Sequence, residues 1–141
     1  MESKNDIIGD FTSPCGAYTL TFDDDGKVAY AYLKKGKAIL GDVWVYNHCT
    51  TPEQPEWKDR SKLPFANCKD YMKEEGQVVR AVILDDISVK WEYRGEQPRA
   101  YVYLFGDLVA SVSVGEKPGY ARFASRDSPL AKLMVIDGPN E

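Results

Sequence analysis

The alternation of apolar and polar residues at a period of two limits what this chain can become more than any other feature. Between Ile87 and Tyr93, Ile87, Val89, Trp91 and Tyr93 fall on one side, and Ser88, Lys90 and Glu92 on the other. Successive strand side chains point to opposite faces, so this run reads as a half-buried β-strand. Ala17 to Asp23 sets Tyr18, Leu20 and Phe22 against Thr19 and Thr21, and Val28 to Leu33 alternates tyrosine with alanine. Ile39 to Tyr46 is rich in β-branched and aromatic residues, while Arg99 to Phe105, Leu108 to Val114 and Gly119 to Ala124 extend the series. Val78 to Leu84 is almost continuously apolar, as in a strand covered on both faces. About eight strands with breakers at short intervals predict a mainly β chain. The expected form is an antiparallel sandwich, or a bent meander or barrel, with one or two short helices.

The turns make the expectation specific. Asp25-Gly26 between alternating runs signals a two-residue hairpin loop, and Lys35-Gly36 a second one. The first places Phe22 across from Ala29, Leu20 from Ala31 and Tyr18 from Leu33. The next strand adds Leu40, Trp44 and Tyr46 to the same core face. Asn67 is positioned to cap a short helix over Cys68 to Glu75, ended by Gly76. Ser128-Pro129 starts a second, with Leu130, Leu133 and Met134 as its buried stripe.

The chain has 141 residues, 43% hydrophobic and 28% charged, enough for one β-rich domain over 1–141 with its own core. Charge does not subdivide it: residues 1–70 and 71–141 each carry 11 acids and 9 bases. A net charge of -4 and a pI near 5.1 argue against general nucleic-acid binding. The N-terminus lacks a signal-peptide pattern, and no stretch approaches the ~20 apolar residues of a membrane span. A cytoplasmic, non-membrane protein with reduced cysteines is expected.

Few residues offer chemistry. The lone histidine, His48, excludes sites that need two, and Cys15, Cys49 and Cys68 form no Cys-x-x-Cys pair. His48 and Cys49 are neighbours, and neighbours in a strand point apart, so they make no catalytic dyad. Asp23-Asp24-Asp25-Gly26 hints at a calcium loop, but Tyr32 stands where the closing glutamate belongs. That run, and Asp85-Asp86, read as solvated acidic turns. No spacing singles out a glycosidase-type carboxylate pair, and no glycine loop suits a phosphate. No cofactor, no metal and no enzymatic activity are expected.

The segment from Asn47 to Asn67 stands apart. It has no period and contains Pro52, Pro55 and Pro64. Irregular loops beyond ~12–15 residues are uncommon in compact domains and often functional. Trp57 sits there among Glu53, Glu56, Lys58, Asp59, Arg60 and Lys62, the composition of an apolar anchor with a charged rim. Trp57 and Phe65 would equally serve to staple the loop onto the sheet. Expected partner-binding residues are Trp57 with Glu53, Glu56 and Asp59, then Asp23, Asp24, Asp25, Asp85 and Asp86.

Across the first half run Gly9-Asp10-Phe11-x-Ser13-Pro14, then Tyr18-x-Leu20-x-Phe22-Asp23-Asp24-Asp25-Gly26-x-Val28-Ala29-Tyr30-Ala31-Tyr32. Gly41-Asp42-Val43-Trp44-x-Tyr46-Asn47, Pro55-Glu56-Trp57 and Pro64-Phe65-Ala66-Asn67 follow. This half resembles small bacterial proteins encoded in toxin–immunity neighbourhoods. The resemblance implies a non-enzymatic protein that binds and occludes one cognate toxin, and it transfers no functional residues. A small-ligand binder, with a pocket lined by Trp44, Trp91 and tyrosines, is the alternative.

Overall fold

Alternation becomes strand wherever a run finds a neighbour. The computed structural model describes residues 7–48, 51–54 and 66–134. The strands are β1 (Ile7–Thr12), β2 (Thr19–Asp24), β3 (Val28–Lys35), β4 (Ala38–Asn47), β5 (Ile87–Arg94), β6 (Gln97–Leu104), β7 (Asp107–Ser113), β8 (Tyr120–Ala121) and β9 (Lys132–Leu133). β1 to β4 form an antiparallel meander, and β5 to β9 a second sheet in which only β8 and β9 run parallel. The two sheets remain separate, so no barrel closes. Both contribute to one buried apolar cluster, with Leu20, Phe22, Ala31 and Val43 from the first and Ala100, Val102 and Val112 from the second. No helix among the described residues is long and apolar enough to cross a membrane.

The first hairpin turns one residue later than expected. Phe22 pairs with Ala31 and Leu20 with Leu33, and the reversal falls at Gly26-Lys27, with Gly26 at φ 88°. The aspartates cause the delay by bonding forward to the backbone. Asp24 Oδ1 accepts the Gly26 N–H at 2.8 Å, and Asp25 Oδ1 accepts those of Lys27 and Val28 at 2.8 and 3.0 Å. Moving the loop by one shifts partners by two, which leaves every side chain on its expected face.

β4 departs more. Leu40 and Val45 are extra residues opposite β3, and each bulge reverses the pleat. Gly41, Val43 and Tyr46 therefore share the face of Leu33, Ala31 and Ala29, whereas Trp44 lies across from Tyr30 on the other side. Leu40, Trp44 and Tyr46 do not share one face. Val43 through Tyr46 are nonetheless all fully buried, because both faces of β4 are covered here. At Gly41 a β-carbon would stand 2.7 Å from both Val112 Cγ2 and the Ser113 carbonyl oxygen, so glycine permits β4 to approach β7 this closely.

β4 also has a partner on its second edge. Gly115 N–H bonds to the Leu40 carbonyl, Asp42 exchanges bonds with Glu116 and Gly119, and Trp44 N–H reaches the Leu130 carbonyl. Val78 N–H closes the row on the Asn47 carbonyl.

Three expectations fail where backbone groups find other partners. Residues 78–84 form no strand: with both edges of β4 occupied, the run crosses the molecule irregularly, and of its side chains only Val82 is fully buried. The helix over 68–75 is two 3₁₀ turns, at Lys69–Tyr71 and Glu74–Gly76. Between them Lys73 N–H bonds to the Phe123 carbonyl and Ser125 N–H to the Tyr71 carbonyl, which breaks the helical ladder. At the C-terminal end, Ser128 Oγ does accept the Leu130 and Ala131 N–H groups, but the chain then enters β9 instead of a helix.

Candidate functional site

β4 ends at Asn47, and His48 follows beside the β2–β3 turn, whose Asp24 is only 1% exposed. Tyr46 donates its hydroxyl to Asp24 Oδ2 at 2.6 Å, and His48 Nε2 lies 2.8 Å from the same oxygen. His48 Nδ1 stands 2.7 Å from the Val78 carbonyl, which only accepts, so this nitrogen carries a proton. Burial first, and the Asp24 carboxylate second, push the Tyr46 hydroxyl far above the usual tyrosine range, so it stays a neutral donor. The His48 backbone is held as well, its N–H by the Lys27 carbonyl and its own carbonyl by Gln77 Nε2. Both imidazole nitrogens are thus spent on bracing residues 77–79 against the first hairpin.

That brace separates two recesses. One, of about 900 Å³, is lined by His48, Glu53, Lys69, Met72, Gln77 and Val79. Glu53 and Lys69 pair at 2.9 Å on its rim, both well exposed, so water screens the pair. The other, of about 210 Å³, has Asp24, His48, Arg80 and Val82 in its walls.

Beyond the brace, the irregular run carries apolar side chains outward: Val79 is 88% exposed, Ile83 58% and Leu84 40%. Phe105, 37% exposed on the β6–β7 turn, joins them through Arg80, whose guanidinium lies 4.0 Å from the centre of its ring. Phe105 N–H bonds to the Asp86 carbonyl at 2.9 Å, tying the turn to residues 84–86. Its φ of 53° is in the left-handed region, the one positive φ among the described non-glycine residues. A bulky aromatic there costs roughly 1–2 kcal/mol and persists only because its surroundings hold it.

The expected binding residues divide. Glu56, Trp57 and Asp59 lie outside the described residues, as does Cys49, and Glu53 is on the recess rim. Asp24 is no solvated tip, because it is buried under three hydrogen bonds. Asp23 is half-buried on β2, and Asp25 is exposed but caps its own turn. Asp85 is exposed, and Asp86 accepts the Ile83 N–H within a 3₁₀ turn. The charges of Asp24 and Asp86 both help hold the Tyr46 hydroxyl above its ordinary range.

Among the described residues no group of three or more His, Cys, Asp or Glu is placed to hold a metal ion. Trp44, expected to line a pocket, is fully buried and bonded through Nε1 to Asn47 at 2.8 Å. Sequence reasoning missed the ridge because an apolar run without a period reads as core. It also missed Cys15, exposed at a tight turn, whose thiol is lowered to about 7 by hydrogen bonds from the Ser13 and Tyr93 hydroxyls and the Ala17 backbone. No protein-family model, curated protein or solved structure matches the chain.

Proposed function

We propose that this protein is a non-enzymatic binding protein of the immunity type, which occludes a cognate toxin. The observation that carries the reading is the set of exposed apolar side chains Val79, Ile83, Leu84 and Phe105, held at one end by the His48 bond to the Val78 carbonyl and at the other by the Phe105 bond to the Asp86 carbonyl. Apolar side chains this open on an irregular segment suit an interface whose energy concentrates in a few anchors. Asp25, between two residues that line the smaller recess with Val79, and Asp85, next to Leu84, add exposed acidic groups that favour a basic partner face and speed encounter. Glu53 and Val79 border one recess, so the loop expected to carry the anchor Trp57 begins beside the ridge.

Capture by the intact chain in its native source, followed by purification of what binds, tests this. The expected result is one stoichiometric protein whose toxic activity the chain abolishes. Val79→Asp with Ile83→Asp should weaken that complex at least a hundredfold without unfolding the chain. A stoichiometric small molecule in place of a protein, or undiminished binding by the folded double variant, would overturn the reading.

A further inference from the structure

β5 is the outer strand of its sheet and pairs only with β6. The bond from Phe105 N–H to the Asp86 carbonyl, with Ile87 opposite Leu104, fixes which groups face which way. Ser88, Lys90, Glu92 and Arg94 exchange backbone bonds with β6, so Val89, Trp91 and Tyr93 turn their N–H and C=O groups outward, while the Ile87 N–H is taken by the Leu84 carbonyl. Among the described residues no backbone group bonds to Val89, Trp91 or Tyr93 along that edge.

Charges on an edge strand ordinarily deter pairing. Here they alternate in sign on one face, with Lys90 over the Tyr103 ring and Glu92 accepting the Tyr101 hydroxyl at 2.8 Å. Alternating charge selects a register. Two copies of β5 placed antiparallel about Trp91 set Lys90 across from Glu92 of the second copy, and symmetry repeats the pair. Val89 then faces Tyr93, Trp91 faces Trp91, and all three contribute outward-turned backbone groups. Sliding by two residues sets Lys90 against Lys90, or Glu92 against Glu92. The charged pairs of the favoured register are of the non-hydrogen-bonded kind, in which side chains stand closest.

We infer that β5 is a dimerisation edge, on which a second copy of this chain adds its own β5 antiparallel about Trp91. The two five-stranded sheets then join into one sheet of ten strands. A two-fold, isologous contact of this kind uses up both edges and stops at two chains. A second copy suits the edge better than a foreign strand because Lys90 and Glu92 complement each other within one sequence.

Sedimentation equilibrium of the intact chain should give twice the 15.9 kDa mass. Lys90→Glu and Glu92→Lys should each weaken self-association roughly tenfold or more, since each sets like charges across both symmetric pairs. An equimolar mixture of these two variants should form a heterodimer, and the double variant carrying both changes should dimerise again. Amide exchange on the unmodified protein gives a reading that needs no variant: the Val89, Trp91 and Tyr93 amides should slow as concentration rises. A chain that stays monomeric to ~1 mM, in the range of weak association, would overturn the inference. So would a dimer indifferent to these charges, or edge amides indifferent to concentration. Val79 and Ile83 are untouched throughout, so either proposal can fail without the other.

Discussion

Asp24 and Asp25 are adjacent acids of one hairpin, and they hold different things. Asp24 accepts the Tyr46 hydroxyl and the Gly26 N–H from a buried position, with His48 Nε2 2.8 Å from the same Oδ2 as Tyr46. Asp25 accepts only the backbone of its own exposed turn. Removing a buried acceptor strands its donors, so Asp24→Ala should cost about 3 kcal/mol in urea unfolding and Asp25→Ala about 1 kcal/mol. Equal losses would show that the brace carries no special weight. Sequence could not separate these two acids, because which one is buried depends on the β4 strand arriving with Tyr46 and His48. Cys15 makes a second case. With its thiol lowered to about 7, the thiolate fraction grows as pH rises through neutrality, and alkylation should follow with a half-maximum near pH 7. Tyr93→Phe removes one donor and should move that midpoint upward, as read by peptide-resolved mass spectrometry. Cys68, which is buried, should stay unlabelled in the folded chain.

Among elements, the β6–β7 turn joins strain to exposure. Phe105→Asn replaces an aromatic at positive φ with a residue that tolerates it. The relief of roughly 1–2 kcal/mol is offset in part by the lost contact with Arg80, worth ~0.5–1 kcal/mol. The variant should therefore stay within about 1 kcal/mol of the parent in thermal unfolding, or gain slightly. It should lose partner affinity if the ridge is the docking surface, so a large loss of stability with intact binding would reverse the assignment. The same scale shows what was legible in the sequence. Ile87 to Tyr93 announced β5 because a period of two has one structural solution. The bulges at Leu40 and Val45 were not legible, since an inserted residue in an apolar strand leaves no polar mark. β1 was hidden because Gly9 and Asp10 interrupt its alternation. β8 fell inside the expected run Gly119 to Ala124, but β9, at two residues, is too short to show a period. Residues 68–75 had helical composition, but Met72 and Lys73 spend their backbone on residues 123–124.

For the molecule as a whole, the two sheets share an apolar cluster and are tied together along β4. Unfolding either sheet would expose the inner face of the other. Chemical denaturation should therefore be a single transition, with far-ultraviolet circular dichroism and tryptophan fluorescence giving superimposable curves. Separated midpoints would divide the chain into two independently stable units. The mainly β class was readable because it depends on local pattern. The position of the ridge and of the His48 brace was not, because Asp24, His48 and Val78 meet only through contacts distant in sequence.

The dressed second edge of β4 also bears on how the chain is made. A ribosome completes β4 at Asn47, but the Leu130 carbonyl that serves Trp44 N–H lies 83 residues later (130 − 47). At roughly 5–20 residues per second, the newborn meander waits on the order of 4–16 s with an apolar, unpaired strand at its margin. Translation speed downstream of β4 thus sets how long the nascent chain is open to mispairing, and a pause between codons 48 and 130 would lower the yield of folded protein without altering a single residue.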